Sequence, residues 1–255
     1  MNKYMWKNDP DWFKQWFNTR EYHLLYGHRS QEEASGFIRR LSEQSILASS
    51  NQTIMDIGCG EGRHAASMAA EGHHVTGLDL SSNSIQAAKQ LHVDYSSSLR
   101  FVCGDMREID TLFQPSSFDV VTMMFTSFGY FETEEEHLRT LEAIRTVLRK
   151  DGTFVLDFLN LEQVQTDLVS HERIRKGEVD FEINRRIADG WIEKSIQFED
   201  ITGTKQLHVE RVRAFSTEYL RVMLHSAGFE FDEVFGDYDL IPLVKSSPRC
   251  IIVAQ

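Results

Sequence analysis

Residues 55–64 read MDIGCGEGRH, with Gly58, Gly60 and Gly62 set between a short apolar run and an alanine-rich one. Glycines at a strand-to-helix turn let the backbone approach a bound group that a Cβ would hold away, so the loop is a candidate cofactor cradle. Its spacing is G-x-G-x-G, one residue tighter than the G-x-G-x-x-G of dinucleotide sites, whose last glycine brings the helix close to a pyrophosphate. A nicotinamide cofactor is disfavoured on that spacing but stays open. Cys59, Cys103 and Cys250 make neither a CxxC pair nor a disulfide framework, so no metal site is expected and a reducing compartment fits.

The formal charge is −12, from 39 acidic and 27 basic residues. No run of Lys or Arg exceeds two, so no continuous basic stripe is available to offset phosphates. A small-molecule substrate is favoured and nucleic acid disfavoured. The start, MNKYMWKNDPDWFKQWF, has no continuous apolar core and too many charges for a signal peptide or a membrane span. A cytoplasmic protein with no membrane partner is expected; oligomeric state is left open, a homo-oligomer included.

The elements that must position the loop follow from periodicity. Trp12, Phe13, Trp16 and Phe17 fall on one side of a helical turn, and Trp6 precedes them. They suit a segment packed on its own domain or a lid over a pocket; a membrane-surface anchor lacks its basic face. Residues 1–47 are therefore expected to form an N-terminal helical lid, with a helix from Ser30 to Leu47 opened by a Ser30/Glu33 capping box. Strand and helix then alternate: strands at 53–57, 74–79, 99–105, 118–125 and 153–160, with helices at 63–71, from Ser81 to Leu91, and after a second capping box at Thr133 and Glu136. From 178 to 213 the period changes to two, with Asp189-Gly190 and Thr202-Gly203 as hairpin turns. A helix capped by Ser216 and strands at 229–235 and 250–254 close the chain. The expected fold is α/β and Rossmann-like: one domain over 1–255 with a doubly wound, mostly parallel seven-stranded sheet and a small antiparallel sheet inserted at 178–213.

The residues D-x-G-C-G-E-G-R-H, with an acidic residue ending the next strand, resemble motif I of class I S-adenosylmethionine-dependent methyltransferases. EYHLLYGHR (21–29), GDMR (104–107), FTSFGYFE (125–132) and SPRCIIVA (247–254) resemble a bacterial small-molecule subgroup of that family. The resemblance covers nearly the whole chain and implies S-adenosylmethionine as cofactor and S-adenosylhomocysteine as product. It implies that Asp79 accepts from the ribose hydroxyls, with Leu80 beside it. Asp105 would take the adenine amine, with the Met106 backbone reaching a ring nitrogen. Asp56 would brace the glycine turn, Cys59 would contribute its backbone, Arg63 would approach the methionine carboxylate and Phe125 would wall the cofactor.

Methyl transfer is an in-line displacement that needs alignment in a dry cleft, and a base only if the acceptor arrives protonated. Acceptor candidates at the cleft mouth are Tyr22, Tyr26 and Arg29 before the core, and Ser127 and Phe128 after the fourth strand; His28 and Tyr130 are the polar groups expected nearest the reaction. Arg185, Arg186, Trp191 and Arg211 supply charge and stacking surface in the inserted sheet, the expected substrate cover. The stretch after the fourth strand lacks the [DNS]-P-P-[YFW] motif of enzymes that methylate base amines or protein glutamine, which leaves N- or O-methylation of a small molecule. The rivals are an NAD(P)-dependent oxidoreductase and a catalytically silent S-adenosylmethionine-binding module.

Overall fold

A computed structural model describes residues 12–27, 30–48 and 50–255. The expected contributions of Trp6, His28 and Arg29 lie outside the described residues. Helices α1 (Trp12–Trp16), α2 (Arg20–Tyr26) and α3 (Gln31–Glu43) lead into β1 (Thr53–Ile57), α4 (Arg63–Ala70), β2 (His74–Asp79), α5 (Ser82–Leu91) and β3 (Leu99–Cys103). A short α6 (Ile109–Leu112) precedes β4 (Phe118–Met123), α7 (Glu134–Val147), β5 (Leu148–Leu159) and α8 (Leu161–Asp167). Strands β6 (His171–Lys176), β7 (Val179–Ala188), β8 (Trp191–Glu199) and β9 (Lys205–Arg213) follow, then α9 (Thr217–Ser226), β10 (Phe231–Phe235) and β11 (Arg249–Ala254).

The first sheet runs β10-β11-β5-β4-β1-β2-β3. Strands β1 to β5 pair in parallel and β11 runs antiparallel to both neighbours. Order reverses between β1 and β4, and a crevice opens at the carboxyl ends of the strands at such a switch point. Strands β1 and β4 are buried on both faces, as their nearly unbroken apolar runs require. One face packs Leu141, Ile144 and Val147 of α7 with Leu220 and Leu224 of α9. The other packs Phe37, Ile38 and Leu41 of α3 with Ala65 and Met68 of α4 and Ile85 of α5.

The second sheet is an antiparallel meander, β6-β7-β8-β9. It begins one strand earlier than the expected 178–213. The added strand, HERIRK, alternates weakly because it lies at the edge, where charged side chains discourage pairing with other chains. Against this sheet lie α1 and α2: Trp12, Phe13, Trp16 and Leu25 share a core with Phe181, Ile183, Ile196 and Phe198. Trp16 is fully buried, stacks on His208 at 4.3 Å and donates its indole N–H to Glu210 at 2.6 Å.

Capping is borne out in part. Thr133 and Glu136 form a complete box at α7. Ser30 caps α3 through the Glu33 amide, but the Glu33 carboxylate turns away to Arg63 at 3.2 Å. β5 starts at Leu148, ahead of the expected 153. Among the described residues no helix is long and apolar enough to cross a membrane.

Candidate active site

The carboxyl ends of β1, β2, β3 and β4 open into a cavity of about 390 Å³. Its floor is the glycine turn. Gly58, Gly60 and Gly62 all have positive φ, at 66°, 55° and 85°, a region costly for residues with a Cβ. Their surroundings differ. A Cβ on Gly58 would come within 2.6 Å of Ser127, one on Gly62 would meet Phe101 at 2.5 Å, and one on Gly60 would find no atom within 4 Å. Gly58 and Gly60 line the cavity with Cys59, whereas Gly62 is not among its lining residues and packs toward β3.

Asp79 ends β2 beside this turn. Its Oδ2 accepts the Gly60 amide and its Oδ1 the Ser81 amide, each at 2.8 Å, and burial raises its carboxyl above the ordinary range. Asp105, after β3, is engaged differently: both oxygens take the Arg107 guanidinium, with Nη2 to Oδ2 at 2.6 Å, and Oδ1 also accepts the Arg107 amide. Burial opposes ionisation of Asp105, but these bonds win and hold it below the usual carboxylate range. Leu80 and Met106 line the cavity beside these two acids, and Arg63 and Phe125 line it near the glycine turn. Sequence spacing gave no sign of Arg107, whose charge is also shared with Glu136 at 2.7 Å.

Phe125 and Thr126 follow β4 with positive φ of 55° and 61°, which costs of order 1–3 kcal/mol per residue. Asp157, fully buried on β5, holds this turn: its Oδ2 accepts the Phe125 amide at 2.7 Å and the Tyr238 hydroxyl at 2.9 Å, and its carbonyl accepts the Thr126 amide. Arg249 donates to Asp157 Oδ1 at 2.7 Å and to Thr126 Oγ1 at 2.8 Å.

A profile of the methyltransferase-domain family matches residues 54–152, the stretch from β1 to the start of β5 that carries these turns. The putative methyltransferase YqeM of Bacillus subtilis (strain 168) is 35% identical over 222 residues, 79% of this chain and 83% of its own. The chain belongs to the S-adenosylmethionine-dependent methyltransferases. A glycine/sarcosine N-methyltransferase of Aphanothece halophytica is 24% identical over 217 residues, covering 82% of this chain and 76% of its own. Among solved structures, the CcbJ methyltransferase from Streptomyces caelestis matches the fold with a TM-score of 0.77 at 17% identity, covering 95% of this chain and 98% of that one.

The methyltransferase cavity fits the donor's chemistry on its own terms. Arg63 Nη2 is buried without a hydrogen-bond partner among the described residues, while its Nη1 serves Glu33 and the Ser30 carbonyl. Asp56 Oδ2 has no partner in hydrogen-bonding geometry, although the Ala65 amide lies near it; its other oxygen accepts Thr122 at 2.9 Å, and burial pushes the carboxyl up to about 7. Arg63, which lines the cavity and pairs with Glu33 through only one of its terminal nitrogens, suits a ligand that carries an acid. We predict that Gly60→Ala folds, at about 1–2 kcal/mol of backbone strain, but binds S-adenosylhomocysteine at least about tenfold more weakly because its methyl projects into open space. Gly62→Ala should instead lower the melting temperature; calorimetry and thermal unfolding separate the two.

The acceptor candidates divide. Tyr22, Tyr26, Ser127 and Tyr130 line the cavity with Phe13 and Phe17 of the aromatic N-terminal segment and with His23, which sequence reasoning had not singled out. The hydroxyl of Tyr130 donates to the Thr126 carbonyl and that of Tyr26 to Glu210 at 2.7 Å, while Ser127 donates to the Met124 carbonyl at 2.8 Å. Phe128 does not contribute: it is fully buried in the core against His137 and Phe215. The neighbouring Phe131 lines the cavity instead, under the Arg107 guanidinium at 4.7 Å. Nor do the inserted sheet's side chains line it. Arg211 and Arg213 lie over Trp191 at 4.1 and 3.9 Å, Arg186 pairs with Glu193, and Arg185 pairs with Glu172 beside a separate cavity.

His137 positions the loop after β4. Its Nδ1 donates to the Thr133 carbonyl at 2.7 Å, which leaves Nε2 to accept the Phe131 amide at 3.3 Å. Burial, aided by Arg213, pushes its pKa down from 6.5 to about 4. Between those values the unfolded chain binds a proton that the folded chain refuses, so the contribution of His137 to stability is present above pH 6.5 and is lost as the pH drops toward 4. That contribution is about 3 kcal/mol and opposes that of Asp56, whose raised carboxyl takes up a proton in the same window; the wild type should lose about 3 kcal/mol relative to His137→Gln between pH 6.5 and 4 in denaturant titrations at stepped pH.

Proposed function

We propose that this methyltransferase transfers a methyl group from S-adenosylmethionine to nitrogen or oxygen of a small-molecule acceptor. The observation that carries the proposal is the cavity itself: about 390 Å³, floored by the glycine turn and the acids of the strand ends and roofed by α1 and α2. Such a space suits a donor and a small partner, and a chain of net charge −12 is a poor counterpart for a polyanion. The glycine/sarcosine N-methyltransferase relative supports a small acceptor.

In this reading the backbone of Gly58, Cys59 and Gly60 lies along the donor, braced by Asp56. Asp79 accepts from the ribose hydroxyls, Leu80 and Met106 enclose the adenine, and Asp105, held by Arg107, takes its amine. Arg63 meets the methionine carboxylate and Phe125 walls the sulfur end. The bound donor supplies a methyl group on a cationic sulfur. The chain's part is to orient the acceptor between Tyr22, Tyr26, Ser127 and Tyr130 and to exclude water with α1 and α2, which the second sheet backs from outside the cavity. Oriented displacement needs no side-chain base when the acceptor arrives with a free lone pair, so no catalytic triad is required.

The test is methyl transfer from labelled S-adenosylmethionine into separate pools of small amines, phenols, carboxylic acids and total RNA. Label in a small-molecule pool supports the proposal. Label in RNA alone overturns it, and S-adenosylhomocysteine binding without transfer to any pool favours a silent binding module.

A further inference from the structure

The aromatic half of the cavity narrows the acceptor further. Phe13 and Phe17 from α1 and the turn after it, Tyr22 and Tyr26 from α2, and Tyr130 from the loop after β4 line it. Their rings touch in sequence: Tyr26 to Tyr22 at 4.9 Å between centroids, Tyr22 to Phe17 at 5.0 Å, Phe17 to Tyr130 at 5.7 Å and Tyr130 to Phe13 at 6.5 Å. Three separate stretches of chain thus bring rings to one wall. The carboxylates lining the same cavity are Glu61, Asp79 and Asp105. Arg63 is the only lysine or arginine among the described lining residues, and it lies over Phe125, 5.1 Å from the ring centre, near the glycine turn. Behind Tyr26, Glu210 is balanced by Lys194 at 3.5 Å and adds no net charge.

We propose that the methyl acceptor is an amine that reacts as the neutral base, with its nitrogen against this aromatic wall, which attracts the positive charge that nitrogen gains on methylation; the proposal rests on the methyl-transfer reading above. The nitrogen lone pair forms the new N–C bond as the C–S bond breaks and its electron pair returns to sulfur. Positive charge therefore moves from sulfur to nitrogen, and a neutral amine leaves as a methylated ammonium. Aromatic faces attract such a centre through their quadrupoles, and most strongly where water is excluded. A phenolate or carboxylate acceptor would instead become neutral on methylation and gain nothing from these rings, and Arg63, the one lysine or arginine among the described lining residues, lies toward the glycine turn.

Calorimetric titration of the full chain saturated with S-adenosylhomocysteine tests this with three probes of one shape: choline, its neutral isostere 3,3-dimethylbutan-1-ol, and 3,3-dimethylbutanoate. Choline should bind about tenfold or more tighter than the alcohol, with the carboxylate weakest. Phe17→Leu, which keeps an apolar side chain and removes the ring, should reduce the preference for choline to about threefold or less. Choline binding no tighter than the alcohol, or the carboxylate binding tightest, overturns the proposal. So does choline binding only when S-adenosylhomocysteine is absent, which would assign the rings to the donor's sulfonium. In each of these cases binding of S-adenosylhomocysteine itself leaves the methyltransferase reading standing, whereas its failure to bind would remove the donor site.

Discussion

Asp79→Ala is expected to weaken S-adenosylhomocysteine binding by about 100-fold in calorimetric titration. The carboxylate sits where β2 ends and the glycine turn passes, accepting the Gly60 and Ser81 amides. Those bonds fix its direction before ligand arrives, and in the proposed reading its remaining lone pairs take the two ribose hydroxyls. Hydrogen bonds to a charged group contribute roughly 1.5–3 kcal/mol each; two at the lower limit amount to about 3 kcal/mol, or about two decades in affinity. The alanine variant also frees the Gly60 amide, which loosens the turn on the other side of the ligand. Burial raises the Asp79 carboxyl, so the ionised, accepting form is lost earlier than usual as pH falls. Affinity in the wild type should decline on the acid side, and Asp79→Asn should show weak binding with a flatter acid limb. Unchanged affinity in the alanine variant would remove Asp79 from the donor site.

Asp79 was legible in the sequence because its signal is local: an acid ending the strand that follows a glycine turn. The same holds for most of the main sheet, whose strands and helices alternate within short windows of apolar periodicity. The signals that failed were non-local or weak. HERIRK carries a single strongly apolar residue, Ile174, because an edge strand needs little burial, and so β6 escaped notice. Phe128 and Phe131 are both aromatic residues of one loop, and spacing does not say which faces the cavity; in the fold Phe128 is buried against Phe215, itself beside Phe158, and Phe131 lines the cavity. Gly62 looks like its neighbours in sequence, but Phe101, brought alongside by the pairing of β2 with β3, gives it a packing role. Arg107 stands next to Met106 in the GDMR stretch, yet only the folded turn shows that it occupies the carboxylate of Asp105.

Asp157→Ala is expected to lower stability by about 3–5 kcal/mol in denaturant titration, the cost of leaving a buried partner charge uncompensated. Asp157 is fully buried on β5 and pairs with Arg249 on β11 across adjacent antiparallel strands. Removing it strands the Arg249 guanidinium and the Tyr238 hydroxyl together. It also releases the Phe125 amide, one of the bonds that keep two consecutive residues without glycine's freedom at positive φ. The strain of that turn is therefore balanced by a network assembled from β5, β11 and the Tyr238 loop, and not by local sequence. A double replacement, Asp157→Leu with Arg249→Met, separates the two roles. Replacing both charges with apolar side chains of similar length removes the unpaired ion and should recover much of the lost stability. It does not restore the acceptor for the Phe125 amide or the donor to Thr126, so Phe125 and Ser127 should shift at the cavity wall and methyl transfer should stay impaired. Recovery of activity along with stability would mean that the turn holds itself and that the Asp157–Arg249 pair serves the core alone.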